Sequence, residues 1–90
     1  MKYAPVQHFI NGKTVNSTGT GTLPLVSPLD GQLLSQVPLG TQADLDAAVS
    51  AAQQAFPGWS STPVKERAQV MYRYRQLLEK HLDELAALCT

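Results

Sequence analysis

The chain has 90 residues, with seven basic and seven acidic side chains that cancel at pH 7. This length allows one small domain and excludes a complete two-domain enzyme of ordinary size. The charge balance argues against a nucleic-acid binder, and the 43% apolar content is that of a globular chain.

A single cysteine, Cys89, rules out an intrachain disulfide and a cysteine-based zinc site. No apolar run reaches the ~18 residues that a membrane span needs. The start, Met1-Lys2-Tyr3-Ala4-Pro5, has no apolar signal core. A reducing, cytoplasmic setting with no membrane partner is therefore expected.

The chain divides by composition. Residues 1–40 hold five of the six glycines and four of the six prolines, and residues 64–90 hold neither. No Lys or Arg lies between Lys13 and Lys65, whereas residues 63–90 carry five basic and four acidic side chains. This predicts a turn-rich β-hairpin arm over 1–40 and a helical segment over 41–90.

Asn11-Gly12 separates Val6–Ile10 from Lys13–Val15, the strongest short-range hairpin signal, because both turn residues need positive φ. Asp30-Gly31 marks a second turn between Leu23–Ser27 and Leu33–Val37. Pro24 and Pro38 cannot donate to a ladder, so these strands should lie at an edge or end there. Hairpins this short are marginal alone and are expected to pack on something larger.

A first helix should begin after Thr41, with Asp44 placed as the acid of a capping box and Asp46 also near the positive helix end. Leu45, Ala48, Val49, Ala52, Phe56 and Trp59 make one apolar face. Its small, uncharged residues permit close helix approach, and Pro57-Gly58 should end it near Phe56.

A second helix is expected from Thr62-Pro63, a capping residue followed by proline at the first helical position. Val64, Ala68, Met71, Leu78, Leu82, Leu85 and Cys89 form one stripe. Val70, Tyr74, Leu77 and Leu88 widen it beyond what one partner helix could cover. A break near His81–Asp83 would let Asp83 cap a new start. The helical pattern is still running at Leu85–Thr90, which is expected of a natural start at Met1 without a natural end at Thr90.

Cys89 as a nucleophile would sit in the last turn of a helix, where the dipole disfavours a thiolate. On an apolar stripe it is expected to be buried in packing. His8 and His81 lie far apart with no carboxylate at ligand spacing, so no metal site is expected. Tyr72-Arg73-Tyr74-Arg75 mixes aromatic and basic groups, but successive helical residues point about 100° apart. Glu79 and Glu84 stand four residues after Arg75 and Lys80 and read as a solvated ion-pair face. Gly19-Thr20-Gly21 lacks the third glycine, the following helix and the lysine of a phosphate loop. Asn16-Ser17-Thr18 matches a glycosylation sequon, which has no meaning without a secretory signal. No catalytic, cofactor-binding or metal residue is assigned.

The order of segments carries more than any one of them. His8-Phe9-Ile10-Asn11-Gly12-Lys13 is followed by Ser27-Pro28-Leu29-Asp30-Gly31 and Gln36-Val37-Pro38-Leu39-Gly40. Then come Asp44–Ala52, Ala55-Phe56-Pro57-Gly58-Trp59, Thr62–Arg67 and Leu77–Ala86. Over nearly the whole chain this series resembles the N-terminus of the aldehyde dehydrogenase superfamily. Arg67–Tyr74 and the stretch to Leu88 look most like methylmalonate-semialdehyde dehydrogenases.

The resemblance implies an α+β fragment, short hairpins followed by two amphipathic helices, that forms an incomplete part of a cofactor-binding domain in an α/β parent. It implies NAD-dependent oxidation of a semialdehyde through a cysteine thioester, with the acyl group passed to coenzyme A. In such proteins the nucleophilic cysteine, the general-base glutamate, the oxyanion asparagine and the NAD-binding strand-turn-helix lie well downstream of a segment like this, and Cys89 does not match the catalytic motif. The 90 residues are thus expected to bind no NAD and to act structurally, with the remainder of a dehydrogenase chain or a second copy as partner, in a homo-oligomer. The contrasting expectation is a free-standing helical interaction module.

Overall fold

Asn11 and Gly12 take φ of 55° and 75°, the paired positive values that a two-residue hairpin turn requires. In a computed structural model that describes residues 1–90, they join β1 (His8–Ile10) to β2 (Lys13–Val15) in an antiparallel pair, with His8 opposite Val15 and Ile10 opposite Lys13.

A second antiparallel pair joins β3 (Thr22–Val26) to β4 (Leu33–Pro38), with a bulge between Leu25 and Val26. Its turn is closed locally. Gly31, at φ 72°, donates its N–H to the Ser27 carbonyl. The Leu29 N–H goes to Ser27 Oγ, and the Gln32 N–H to Asp30 Oδ1.

β4 is paired on both sides. Tyr3 and Val6 donate their N–H groups to the carbonyls of Leu34 and Gln36, and Ser35 Oγ donates to the Ala4 carbonyl. Pro38 closes β4, and Pro24 lies in the edge strand β3 opposite Gln36, as the missing donors demand.

Helices α1 (Gln42–Ser61), α2 (Val64–Lys80) and α3 (Leu82–Cys89) follow. Three boundaries differ from the sequence expectation. First, α1 passes through Pro57 to Ser61. A proline removes one N–H and crowds one carbonyl, but the turn beyond it is closed by hydroxyls. Ser60 Oγ bonds the Pro57 carbonyl, and Ser61 Oγ and Thr62 Oγ1 both bond that of Gly58. Second, Thr62 is thereby engaged by α1, so the cap of α2 falls to Pro63 and uses no side chain. Third, the break after α2 is where the pattern placed it, but His81 is the residue between the helices and Asp83 sits within the first turn of α3.

The chain forms two compact units, Met1–Ala55 and Phe56–Thr90. Neither has an apolar core. No hydrophobic side chain is buried, and the buried residues are Ser27, Ser35 and Asp44. The apolar face of α1 is uncovered, with Leu45 57% and Phe56 67% exposed.

Candidate functional site

Asp44 is the most heavily bonded side chain in the molecule, and three segments of the first unit meet on it. Thr41 and Asp44 make the reciprocal capping box at the head of α1. Thr41 Oγ1 accepts from the Asp44 N–H at 3.1 Å, and Asp44 Oδ2 accepts from the Thr41 N–H at 3.2 Å.

The same Oδ2 takes the Ser17 hydroxyl at 2.6 Å and faces His8 Nε2 at 3.1 Å. Oδ1 takes the Thr18 N–H at 3.0 Å, and the hydroxyls of Thr18 and Thr41 bond each other. One carboxylate therefore holds β1, the loop after β2 and the first turn of α1.

The Ser17 hydroxyl, then the Thr18 N–H, hold the Asp44 carboxyl well below the usual carboxylate range, with a smaller push from Thr41. Burial opposes them and is outweighed. An Nε2–H tautomer of His8 completes the set of donors.

His8, Ser17 and Asp44 do not form a nucleophilic triad. Both side chains donate to the carboxylate, and the hydroxyl proton is committed to Asp44 rather than to an imidazole base. The site can clamp and orient. Sequence reading found only its local half. In the sequence His8 has no carboxylate at ligand spacing, and Ser17 stands out solely as part of a sequon.

The other candidates stay apart. No group of three or more His, Cys, Asp or Glu side chains comes within reach of a metal ion. Cys89, expected to be buried, is exposed at the end of α3, because nothing is packed over that helix. His81 Nδ1 meets Glu84 Oε2 at 2.8 Å, so Glu84 pairs with His81 and not with Lys80. Arg75 Nε donates to Glu79 Oε1 at 3.1 Å, as the helix spacing requires, in full solvent. Tyr72 and Tyr74 are exposed and form no base-stacking platform with each other.

Gly19 and Gly21 precede a strand, not a helix, and the space beside them is filled by this chain. A Cβ at Gly19 would meet Thr41 Cγ2 at 2.7 Å, and one at Gly21 would meet Leu39 Cδ1 at 3.1 Å. No cradle is left beside these two glycines for a dinucleotide phosphate. No helix is long and apolar enough to cross a membrane.

Comparison with known proteins gives the class to which this arrangement of hairpins and helices belongs. Residues 14–90 match the model of the aldehyde dehydrogenase family. The chain belongs to that family.

It is 44% identical over 85 residues to malonate-semialdehyde dehydrogenase 1 of Geobacillus thermodenitrificans, covering 94% of this chain and 18% of that relative. It is 42% identical over 85 residues to malonate-semialdehyde dehydrogenase 2 of Bacillus cereus, covering 94% and 17%.

Among solved structures it is similar to a protein assigned as methylmalonate-semialdehyde dehydrogenase from Sinorhizobium meliloti, complexed with NAD. There the TM-score is 0.91 at 38% identity, over 97% of this chain and 18% of that one. The methylmalonate-semialdehyde dehydrogenase of Oceanimonas doudoroffii gives a TM-score of 0.90 at 38% identity, over 96% and 17%. The chain thus spans under a fifth of the length of the relatives it matches, and within that span it has their fold.

Proposed function

We infer that these 90 residues are the N-terminal structural segment of an NAD-dependent, coenzyme A-acylating semialdehyde dehydrogenase that acts on methylmalonate or malonate semialdehyde. In that reading the whole enzyme oxidises the semialdehyde with NAD and delivers the acyl group to coenzyme A. It works in the cytoplasm as a homo-oligomer. The arm 1–40 and the helical segment 41–90 together make an incomplete part of its cofactor-binding domain.

The segment itself supplies no nucleophile, acid, base or NAD contact. Its chemistry is positional: Asp44 fixes the first hairpin and the loop after it to the head of α1. The observation that carries the reading is a combination. The chain follows a dehydrogenase at TM-score 0.91 over 97% of its own length, yet it buries no apolar side chain of its own.

The test is a graft. Residues 1–90 replace the matching segment of the Oceanimonas doudoroffii enzyme, and aldehyde-dependent NADH formation is followed with methylmalonate semialdehyde, NAD and coenzyme A. The graft is expected to turn over and the 90-residue chain alone to be inactive. Turnover by the isolated chain, or an inactive graft, would refute the reading.

A further inference from the structure

Two turns set an amide or acidic residue before glycine, Asn11-Gly12 and Asp30-Gly31. At the second, the atoms that could react with each other are engaged. The Gly31 N–H donates to the Ser27 carbonyl, and Asp30 Oδ1 accepts from the Gln32 N–H. At the first they are open. Asn11 and Gly12 are both exposed, and the Gly12 N–H enters no backbone hydrogen bond. A Cβ built at Gly12 would meet nothing within 4 Å. The other asparagine, Asn16, accepts from Gln7 Nε2 and is followed by Ser17, which Asp44 holds.

Asparagine is a thermolabile residue, and a following glycine leaves its own nitrogen unshielded. The Gly12 nitrogen, after giving its proton to a base, can attack Asn11 Cγ. The N–Cγ bond forms, the Cγ–Nδ2 bond breaks, and the amide leaves as ammonia with a proton from water. Water then opens the cyclic imide. Addition at Cγ gives aspartate. Addition at the Asn11 main-chain carbonyl gives isoaspartate, with the chain running through Cβ and Cγ. Nothing is oxidised or reduced, and water is the sole co-reactant.

The closed turn resists this step. The φ values of Asn11 and Gly12, 55° and 75°, belong to a type I′ turn, which sets the first central ψ to about 30°. At that ψ the Gly12 nitrogen lies nearly opposite Asn11 Cβ across the Cα–C bond, so the ring cannot close until the hairpin opens. The hairpin has three residues in each strand and is marginal by itself. Asp44 holds its base shut, gripping His8 at the start of β1 and Ser17 and Thr18 just beyond β2.

We propose that Asn11 is a site of spontaneous deamidation to aspartate and isoaspartate, and that the Asp44 clamp sets its rate by controlling how often the hairpin opens. Isoaspartate lengthens the turn by a methylene, so β1 and β2 lose the two-residue connection that fixes their register. The proposal stands apart from the dehydrogenase reading, because it uses only the first hairpin and its clamp.

The test holds the 90-residue chain, its Asp44→Ala, Ser17→Ala and Arg75→Ala variants and a synthetic peptide of residues 6–15 in one mildly alkaline buffer. Peptide mapping by mass spectrometry follows Asn11, and carboxyl methylation by a protein isoaspartate methyltransferase reports isoaspartate. Asn11 is expected to convert ahead of Asn16 and Asp30, and faster as the pH is raised. The chain should convert about tenfold more slowly than the peptide or slower still, because hydrogen bonds to an ionised group shift the opening equilibrium that far. Asp44→Ala should approach the peptide rate, and Ser17→Ala, which removes one donor, should fall between. Arg75→Ala should stay within about twofold of the unaltered chain.

A chain that converts as fast as the peptide overturns the proposal. So does conversion of Asn16 or Asp30 ahead of Asn11, or a rate that neither clamp variant raises. If Asp44→Ala unfolds the whole first unit, Ser17→Ala decides, and an unraised rate there overturns the proposal as well.

Discussion

Residues 1–55 bury three side chains, all polar and all hydrogen-bonded, whereas residues 56–90 bury none. The first unit is organised by long-range hydrogen bonds that specify which segment meets which. Ser35 ties the N-terminal residues to β4, and Asp44 ties β1 and the loop after β2 to a helix. The second unit is secondary structure alone, sustained by its own backbone ladder and by exposed pairs such as Arg75–Glu79. Specificity and stability have separated here: hydrogen bonds give the first unit its geometry, while the hydrophobic burial that stabilises folded domains is supplied to neither.

Removing the clamp should erase this contrast, and the largest effect is expected there. Asp44→Ala leaves the Ser17 hydroxyl, the Thr18 and Thr41 N–H groups and His8 Nε2 without their shared acceptor. The first hairpin and residues 16–19 should then lose amide-exchange protection together, with residues 64–89 unchanged; protection retained at Thr18 would show that the clamp is dispensable.

Pro57→Ala acts on the other side of the comparison. It restores an N–H inside α1 and should strengthen that helix by up to about 3 kcal/mol, seen as greater helicity in far-UV circular dichroism. Thr41→Ala removes the hydroxyl half of the capping box together with the bond to the Thr18 hydroxyl and should cost about 1 kcal/mol in denaturant titration.

Acid should erase the difference in the same way. The folded-state pKa of Asp44 is depressed, so its contribution is complete above the unfolded value of about 3.9 and is lost as pH falls below it. The hairpin amides should become labile in that acid range, and Asp44→Asn should abolish this limb of the pH profile. Smallest of all, Arg75→Ala breaks a solvent-exposed pair and should change stability by less than about 0.5 kcal/mol.

What the sequence disclosed follows the reach of each interaction. The Asn11-Gly12 turn, the Thr41–Asp44 box and the break at His81 are set by neighbours within a few residues, and all were readable. His8 and Ser17 reach Asp44 across 36 and 27 positions, and no local pattern marks such a meeting.

Pro57 misled for a related reason. The general cost of proline in a helix is met here by the hydroxyls of Ser60, Ser61 and Thr62, which complete the turn beyond it. The apolar stripe that Cys89 shares predicts a packed interior, but a stripe reports what a face is suited to contact, not that the contact is made.

The pairing of β4 bears on whether strands of other molecules can add to this sheet. Residues 3–6 occupy one edge of the β3–β4 pair, which removes that edge as a template for strands from other molecules. On the remaining edge, the Leu39-to-Gly21 hydrogen bond sets an alternation that turns the backbone of Leu23 and Leu25 inward and that of Pro24 outward. The outermost ladder position therefore carries a ring in place of an N–H. A strand arriving from solution would find no donor at its centre, so this edge is a poor template.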